Sequence, residues 1–291
     1  MKFFLASAIG FAGASLYKSR SEVQAWGFLN KPAFSQEEFQ SYKLINVEEV
    51  SHDTRHFRFA LATEKTRLDL PIASCISLRF TDEKGQEVIR PYTPINLESD
   101  EGHFDLVVKC YPSSKMGSHL FSMKPGDSIE AKGPWHTFEL RPSQYNQIGM
   151  IAGGTGLTPM LQISKNILSS QGNSTKISLL YSSKSINDVL LGDTLEKMAK
   201  KFPGMFATFY CLTTAPKRWT GYTGYIDKRM IQETMPGPER EGDSIILVCG
   251  PQPFMKAICG VKDFKSSPPK QGPLGGYLKE MGYAENCVYK F

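Results

Sequence analysis

Apolar and polar residues follow two different patterns along the chain. Between Gln40 and about Leu140 the apolar runs are short and strand-like: YKLINVEEV (42–50), TRHFRFAL (54–61), SCISLRF (74–80), HFDLVVKCY (103–111) and DSIEAKG (127–133). Turn formers such as DEKGQ, ESDEG and KPGD separate them, a spacing that predicts a small barrel or sandwich. KMGSHLFSM (115–123) departs from this pattern and predicts a short helix. After RPSQYNQ (141–147) the runs IGMIAGG, KISLLYS, MFATFYCL and SIILVCG are continuously apolar, as in strands buried on both faces. Helical stretches lie between them: MLQISKNILSS, DTLEKMAKKF and DKRMIQETM. Strands alternating with helices predict a parallel α/β sheet. The expected organisation is a strand-rich domain over 38–143 and an α/β domain over 144–291, after a linker over 21–37.

Residues 1–20 form a separate segment. An apolar stretch from Phe3 to Tyr17 is flanked by Lys2, Lys18 and Arg20, with no acid before Glu22. Its fifteen residues are short for a membrane span, though tilt or thinning accommodates a modest mismatch. A membrane anchor is the first expectation. A cleaved signal peptide, with AGA at 12–14 as its site, and a cleaved mitochondrial presequence are the competing ones.

Composition narrows the classes. The chain of 291 residues is 41% hydrophobic and 22% charged, with a net charge of +5 and no long Lys/Arg run. That argues against a nucleic-acid groove and leaves room for an acidic partner or an anionic membrane surface. Six cysteines lie without a CxxC pair, so buried thiols are expected rather than a disulfide framework, zinc site or iron–sulfur cluster. His52 and His56 have helical spacing, but SHDTRHFRF reads as a turn and a strand, so no metal site is expected there.

Three motifs carry candidate chemistry. In IRPYTPI (89–95) Pro91 and Pro94 stiffen an extended segment holding Arg90, Tyr92 and Thr93, and such a segment cannot pair fully within a central sheet. In GMIAGGTGLTPM (149–160) a buried strand ends in Gly153-Gly154-Thr155-Gly156. Thr158 is the expected N-cap of the following helix and Pro159 its first residue. Glycines there let a ligand approach the backbone, and a helix start favours an anion. The spacing fits neither GxGxxG nor a Walker A loop. In LVCGPQPFM (247–255) another buried strand delivers Cys249 and Gly250 to its carboxyl end. Ligands of open α/β sheets bind at those ends, so both motifs are expected on one crevice.

RPYTPI, GGTGLTPM and CGPQPFM occur here in an order that resembles the ferredoxin-reductase-like flavoproteins. HFDLVVKCYP…KMGSHL, ILVCGPQPFM and the terminal VYKF resemble the NADH–cytochrome b5 reductase family within that group. The resemblance runs from about residue 40 to the C-terminus. With the N-terminal segment and the QG…GYLKEMGY…VYKF tail, it is similar to the mitochondrial type. It implies a six-stranded antiparallel flavin-binding barrel followed by an α/β parallel-sheet nucleotide-binding domain. It also implies hydride transfer from NADH to FAD N5, then single-electron transfers to cytochrome b5 or a similar acidic heme protein. Another NAD(P)H-dependent FAD reductase of the superfamily, or a non-catalytic flavin-binding membrane adaptor, are the alternatives. A Rossmann dehydrogenase is disfavoured, because the chain lacks the GxGxxG and catalytic acid/base it would need.

The same resemblance assigns roles. Arg90 contacts the FAD pyrophosphate, Tyr92 packs on the isoalloxazine, and the Thr93 hydroxyl bonds near N5, with Pro91 holding the clamp. Val107, Lys109 and Tyr111 line the flavin and nicotinamide sites. Lys115, Met116, Gly117 and Ser118 match a run whose amides hold the pyrophosphate. That run departs from the usual pattern at Ser113, Ser114 and Gly117. Gly153, Gly154, Thr155 and Gly156 approach NADH and flavin, and Thr158 bonds FAD. Cys249 positions the nicotinamide rather than attacking it, beside Gly250, Pro251 and Phe254. Thr93, Lys109 and Cys249 are the implied catalytic set. Where the family carries an aspartate on the adenine ribose, this chain has Thr213, with Thr214, Lys217 and Arg218 following. The expectation is therefore that NADH is used and NADPH poorly excluded. A monomer at the outer mitochondrial membrane, facing cytosol or intermembrane space, is expected, with the endoplasmic reticulum second.

Overall fold

The computed structural model describes residues 32–136, 138–141, 143–240, 242–263 and 269–291. The expected anchor and most of the linker lie outside the described residues. Among the described residues no helix is long and apolar enough to cross a membrane.

The first six strands are β1 (Gln40–Ser51), β2 (Thr54–Ala60), β3 (Ser74–Thr81), β4 (Glu87–Tyr92), β5 (His103–Lys109) and β6 (Ser128–His136). They form one sheet in the order β4-β3-β6-β1-β2-β5, every pair antiparallel. Burial alternates along β3 and β6, as one solvated and one packed face require. Every strand contributes to a single core, among others Leu44, Phe57, Leu78, Val88, Leu106 and Ala131, so the sheet curls into a barrel. Helix α1 (Lys115–Ser122) closes it with Met116 and Leu120. β4 is an outer strand, with Pro91 opposite Ser77. That position tolerates a residue with no N–H.

The second sheet contains β7 (Gln147–Gly153), β8 (Lys176–Ser183), β9 (Phe206–Leu212), β10 (Tyr222–Thr223), β11 (Ser244–Cys249) and β12 (Val288–Lys290). Its order is β10-β9-β8-β7-β11-β12, and all its pairs are parallel. Helices α2 (Leu157–Ser169), α3 (Gly192–Lys201), α4 (Lys228–Thr234), α5 (Gln252–Ile258) and α6 (Gly276–Glu280) complete the domain. The sequence pattern had not marked β10 or β12. Two and three residues are too few to show a periodicity, and both exist because a longer neighbour offers a free edge.

One core joins the two domains. Ala73, Ile95 and Val107 of the barrel pack with Leu157, Met160 and Leu161 of the α/β domain. This explains why β5, unlike its neighbours, is buried along both faces. Each of the larger aliphatic side chains buried there contributes about 1.5–3 kcal/mol, which holds the two domains against each other.

Candidate functional site

The Gly153–Gly156 turn and the Cys249–Gly250 turn meet backbone to backbone. A Cβ on Gly156 would stand 2.1 Å from the Cys249 carbonyl oxygen, so no larger residue fits without parting the strand ends. The Phe254 ring lies against both Gly153 and Gly250. From the barrel, the Tyr111 hydroxyl reaches within 3.8 Å of a Cβ position on Gly154. Gly154 itself has φ +56, a left-handed conformation that glycine takes without strain, and its carbonyl accepts a 3.1 Å hydrogen bond from the Tyr181 hydroxyl. The two turns, Tyr111 and Phe254 thus form one wall, as the sequence led us to expect.

Thr158 is a correction. The chain passes through a 3-10 turn at Gly154–Gly156, and α2 starts at Leu157 with Gly156 as its cap. Thr158 therefore lies inside the first turn, where its hydroxyl donates to the Thr155 carbonyl at 3.1 Å, and Pro159 is the third helical residue. Glycine at 156 lets the helix begin earlier than a side-chain cap would.

Cys249 stands at the carboxyl end of β11, and burial pushes its thiol up to about 12. A neutral thiol suits a packing wall and not a nucleophile. On the barrel side, Tyr92 packs on the barrel core and burial lifts its phenol to about 12. Beside it the exposed Arg90 donates to the Ile89 carbonyl at 2.7 Å, leaving most of its guanidinium donors for a ligand. Two prolines, an aromatic face and a guanidinium with donors to spare suit a planar ring carrying a diphosphate.

Lys109 is held by a carboxylate from each domain: Asp53 of the β1–β2 turn at 2.5 Å and Asp188, which follows β8, at 3.5 Å. Burial works to raise the Asp53 carboxyl, but Lys109, helped by Ser51 and Thr54, holds it below its ordinary value. Asp188 is lowered in the same way, with Ser185 and Lys109 outweighing burial. Sequence reasoning placed Lys109 near the ring and missed both acids, which no spacing connects. His52, Asp53 and Asp188 present ligand atoms within 4.8 Å of one another, and the Lys109 ammonium lies among them. His56 faces a different partner, Asp105, at 3.4 Å.

The run 115–118 is divided in function. Ser114 is the N-cap of α1 and accepts from the Gly117 amide at 3.0 Å. A Cβ on Gly117 would stand 2.8 Å from that same Ser114 hydroxyl, so the two departures from the family pattern accommodate each other. Lys115 turns its ammonium to Asp82 at 2.7 Å, and the Met116 side chain is in the barrel core. The Gly117 and Ser118 amides are both engaged by Ser114, at 3.0 and 2.9 Å. The Val107 side chain is likewise buried, in the core between the domains.

At the far end of the crevice the Thr213 amide donates to the Ser183 carbonyl at 3.0 Å, and Thr214 to Lys184 at 2.7 Å. Thr213, Thr214, Lys184, Lys217 and Arg218 are all exposed there. Thr213 follows β9, three strand spacings from β11, or about 14 Å. That distance suits an extended dinucleotide. A cavity of about 1280 Å³ lies to one side, between α3 and the β9–β10 edge, and is lined by Tyr210, Trp219 and Tyr222 among others.

Residues 41–140 match the family model of an oxidoreductase FAD-binding domain, and residues 150–260 that of an oxidoreductase NAD-binding domain. Fold and site together define a two-domain oxidoreductase of flavin and nicotinamide nucleotide. NADH-cytochrome b5 reductase 2 of Aspergillus terreus is 41% identical over 249 residues, covering 86% of this chain and 77% of its own length. The Saccharomyces cerevisiae protein of the same name is 37% identical over 287 residues, covering 98% of this chain and 93% of its own. The solved cytochrome b5 reductase domain of Ulva prolifera nitrate reductase aligns with a TM-score of 0.76 at 31% identity, over 90% of this chain and all of that domain. The chain belongs to the NADH–cytochrome b5 reductase family.

Proposed function

We propose that the protein is an FAD-dependent NADH–cytochrome b5 reductase. The observation that carries this reading is the apposition of Gly156 with the Cys249 carbonyl, which brings the two glycine-bearing strand ends together in one wall. Bound FAD would accept a hydride from NADH and release electrons singly to a heme acceptor. The protein's own part is orientation. Arg90 holds the diphosphate, Tyr92 supports the ring, and the Gly153–Gly156 and Cys249–Pro251 turns set where the nicotinamide lies. No side chain is needed as a strong acid or base. Purified protein should be yellow and reduce ferricyanide with NADH. Material that stays colourless after incubation with excess FAD would refute the reading.

Cofactor choice is the finer part of this proposal. No carboxylate stands at 213 or 214; Lys184 bonds Thr214 through its backbone carbonyl, and Lys217 and Arg218 follow in the chain. The repulsion that would reject a 2′-phosphate is missing, so NADPH should be used at a measurable fraction of the NADH rate. Thr213→Asp should lower the NADPH:NADH ratio of kcat/KM by about tenfold or more. A wild-type preference for NADH of about a thousandfold, roughly 4 kcal/mol of discrimination, would end this argument.

The acceptor we propose is cytochrome b5 or a similarly acidic heme protein, attracted by the net charge of +5. Its reduction should slow as salt rises. Residues Phe3–Tyr17 would attach a monomeric enzyme to the outer mitochondrial membrane, and fractionation with carbonate extraction tests that placement.

A further inference from the structure

Helix α2 is buried almost throughout, yet it carries three polar side chains on one face: Gln162, Lys165 and Asn166, the i, i+3, i+4 spacing. All three reach across the domain boundary to backbone atoms of the barrel. The amide of Gln162, 1% exposed, donates to the Ser74 and Pro94 carbonyls, both at 3.1 Å, and accepts from the Ser74 amide at 3.2 Å. Lys165 donates to the Ile95 carbonyl at 2.8 Å, and Asn166 accepts from the Glu98 amide at 3.3 Å.

These contacts follow from the clamp sequence. Beyond Tyr92 the chain has left β4, and Pro94 offers no N–H. The Pro94 and Ile95 carbonyls lie beyond the strand pairing, although they are in a buried segment where unmet acceptors are costly. Donors from α2 satisfy them. Gln162 is bonded one residue beyond Thr93, and six residues along α2, about 9 Å, stands Gly156, packed on Cys249. A single rigid helix thus connects the two walls of the cleft.

We propose that Gln162 is a positioning residue for hydride transfer, fastening the flavin clamp to the helix that rises from the nicotinamide turn so that both walls keep one spacing. This rests on the function proposed above. A misplacement of about 1 Å costs on the order of 100-fold in rate, so the bonds matter more to rate than to nucleotide affinity. Lys165 supports the same connection at its rim.

The test uses the full-length chain as Gln162→Met, which keeps the volume and removes all three bonds. In anaerobic stopped-flow, the limiting rate of flavin reduction per bound flavin should fall by about 10- to 100-fold, while the Kd for NADH changes less than about threefold. Hydrogen exchange in the unliganded protein should quicken at Ser74 and over 95–98 and stay unchanged in β7 and β8. A reduction rate within twofold of wild type, or a loss accounted for by missing flavin alone, overturns the proposal. If Gln162→Met does not fold, Lys165→Met should show the same pattern at about threefold, and no change there overturns it equally. A colourless wild type would refute the proposed function. A yellow, active wild type matched by Gln162→Met refutes only this inference.

Discussion

Replacing Gly156 by alanine tests the site at its tightest point. The new methyl would stand 2.1 Å from the Cys249 oxygen, 2.5 Å from its carbonyl carbon and 2.9 Å from the Gly250 nitrogen. All three are backbone atoms, so no flexible side chain can swing aside. Relief to an ordinary carbon–oxygen contact of about 3.3 Å requires the strand ends to part by about 1.2 Å. Overpacking of this kind costs about 1–3 kcal/mol in stability, and a shift of about 1 Å between reacting groups costs about 100-fold in rate. The control is Gly172→Ala. Gly172 has φ +70 with nothing within 4 Å of a Cβ, so alanine there meets only left-handed strain of about 1–2 kcal/mol. Both variants should lose similar stability in thermal unfolding. Only Gly156→Ala should lose flavin reduction in single-turnover mixing with NADH. Reduction by Gly156→Ala within twofold of wild type would show that the contact does not set the reacting distance.

Other outcomes follow from the same geometry. Arg90→Ala should weaken FAD by about 10- to 100-fold, the worth of charge-assisted bonds of about 1.5–3 kcal/mol; unchanged affinity in a flavin titration of apoprotein would remove Arg90 from the site. Because burial keeps the Cys249 thiol neutral up to about 12, kcat should show no thiol ionisation between about pH 6 and about pH 9. Cys249→Ser should accordingly keep kcat within about tenfold, and a loss beyond a thousandfold would point to a covalent role. Burial alone would raise the Asp105 carboxyl, but bonds from Arg58 (2.8 Å to each oxygen) and His56 outweigh it and hold it well below its ordinary 3.8. A folded value depressed below the unfolded one stabilises above about pH 4, and the contribution fades as pH falls toward the folded value. Arg58→Met should therefore move the acid-unfolding midpoint, followed by circular dichroism, to higher pH; an unmoved midpoint would deny the pair its role.

The sequence by itself determined the two domain types, since short strand-like runs and continuous apolar runs differ in how many faces they bury. It also determined the chemistry-bearing turns, because proline and glycine act on the backbone where they stand. Gly156 at its strand end and the proline-stiffened segment Arg90–Thr93 were legible for that reason. Tertiary structure alone decided who meets whom across the cleft. Asp53 and Asp188 find Lys109 from positions 56 and 79 residues away. Gln162, a lone amide in PMLQIS, gains its partners only when α2 lies on the barrel. Local conformational preference is written residue by residue. A hydrogen bond between distant segments depends on how two surfaces pack, and no spacing along the chain records that.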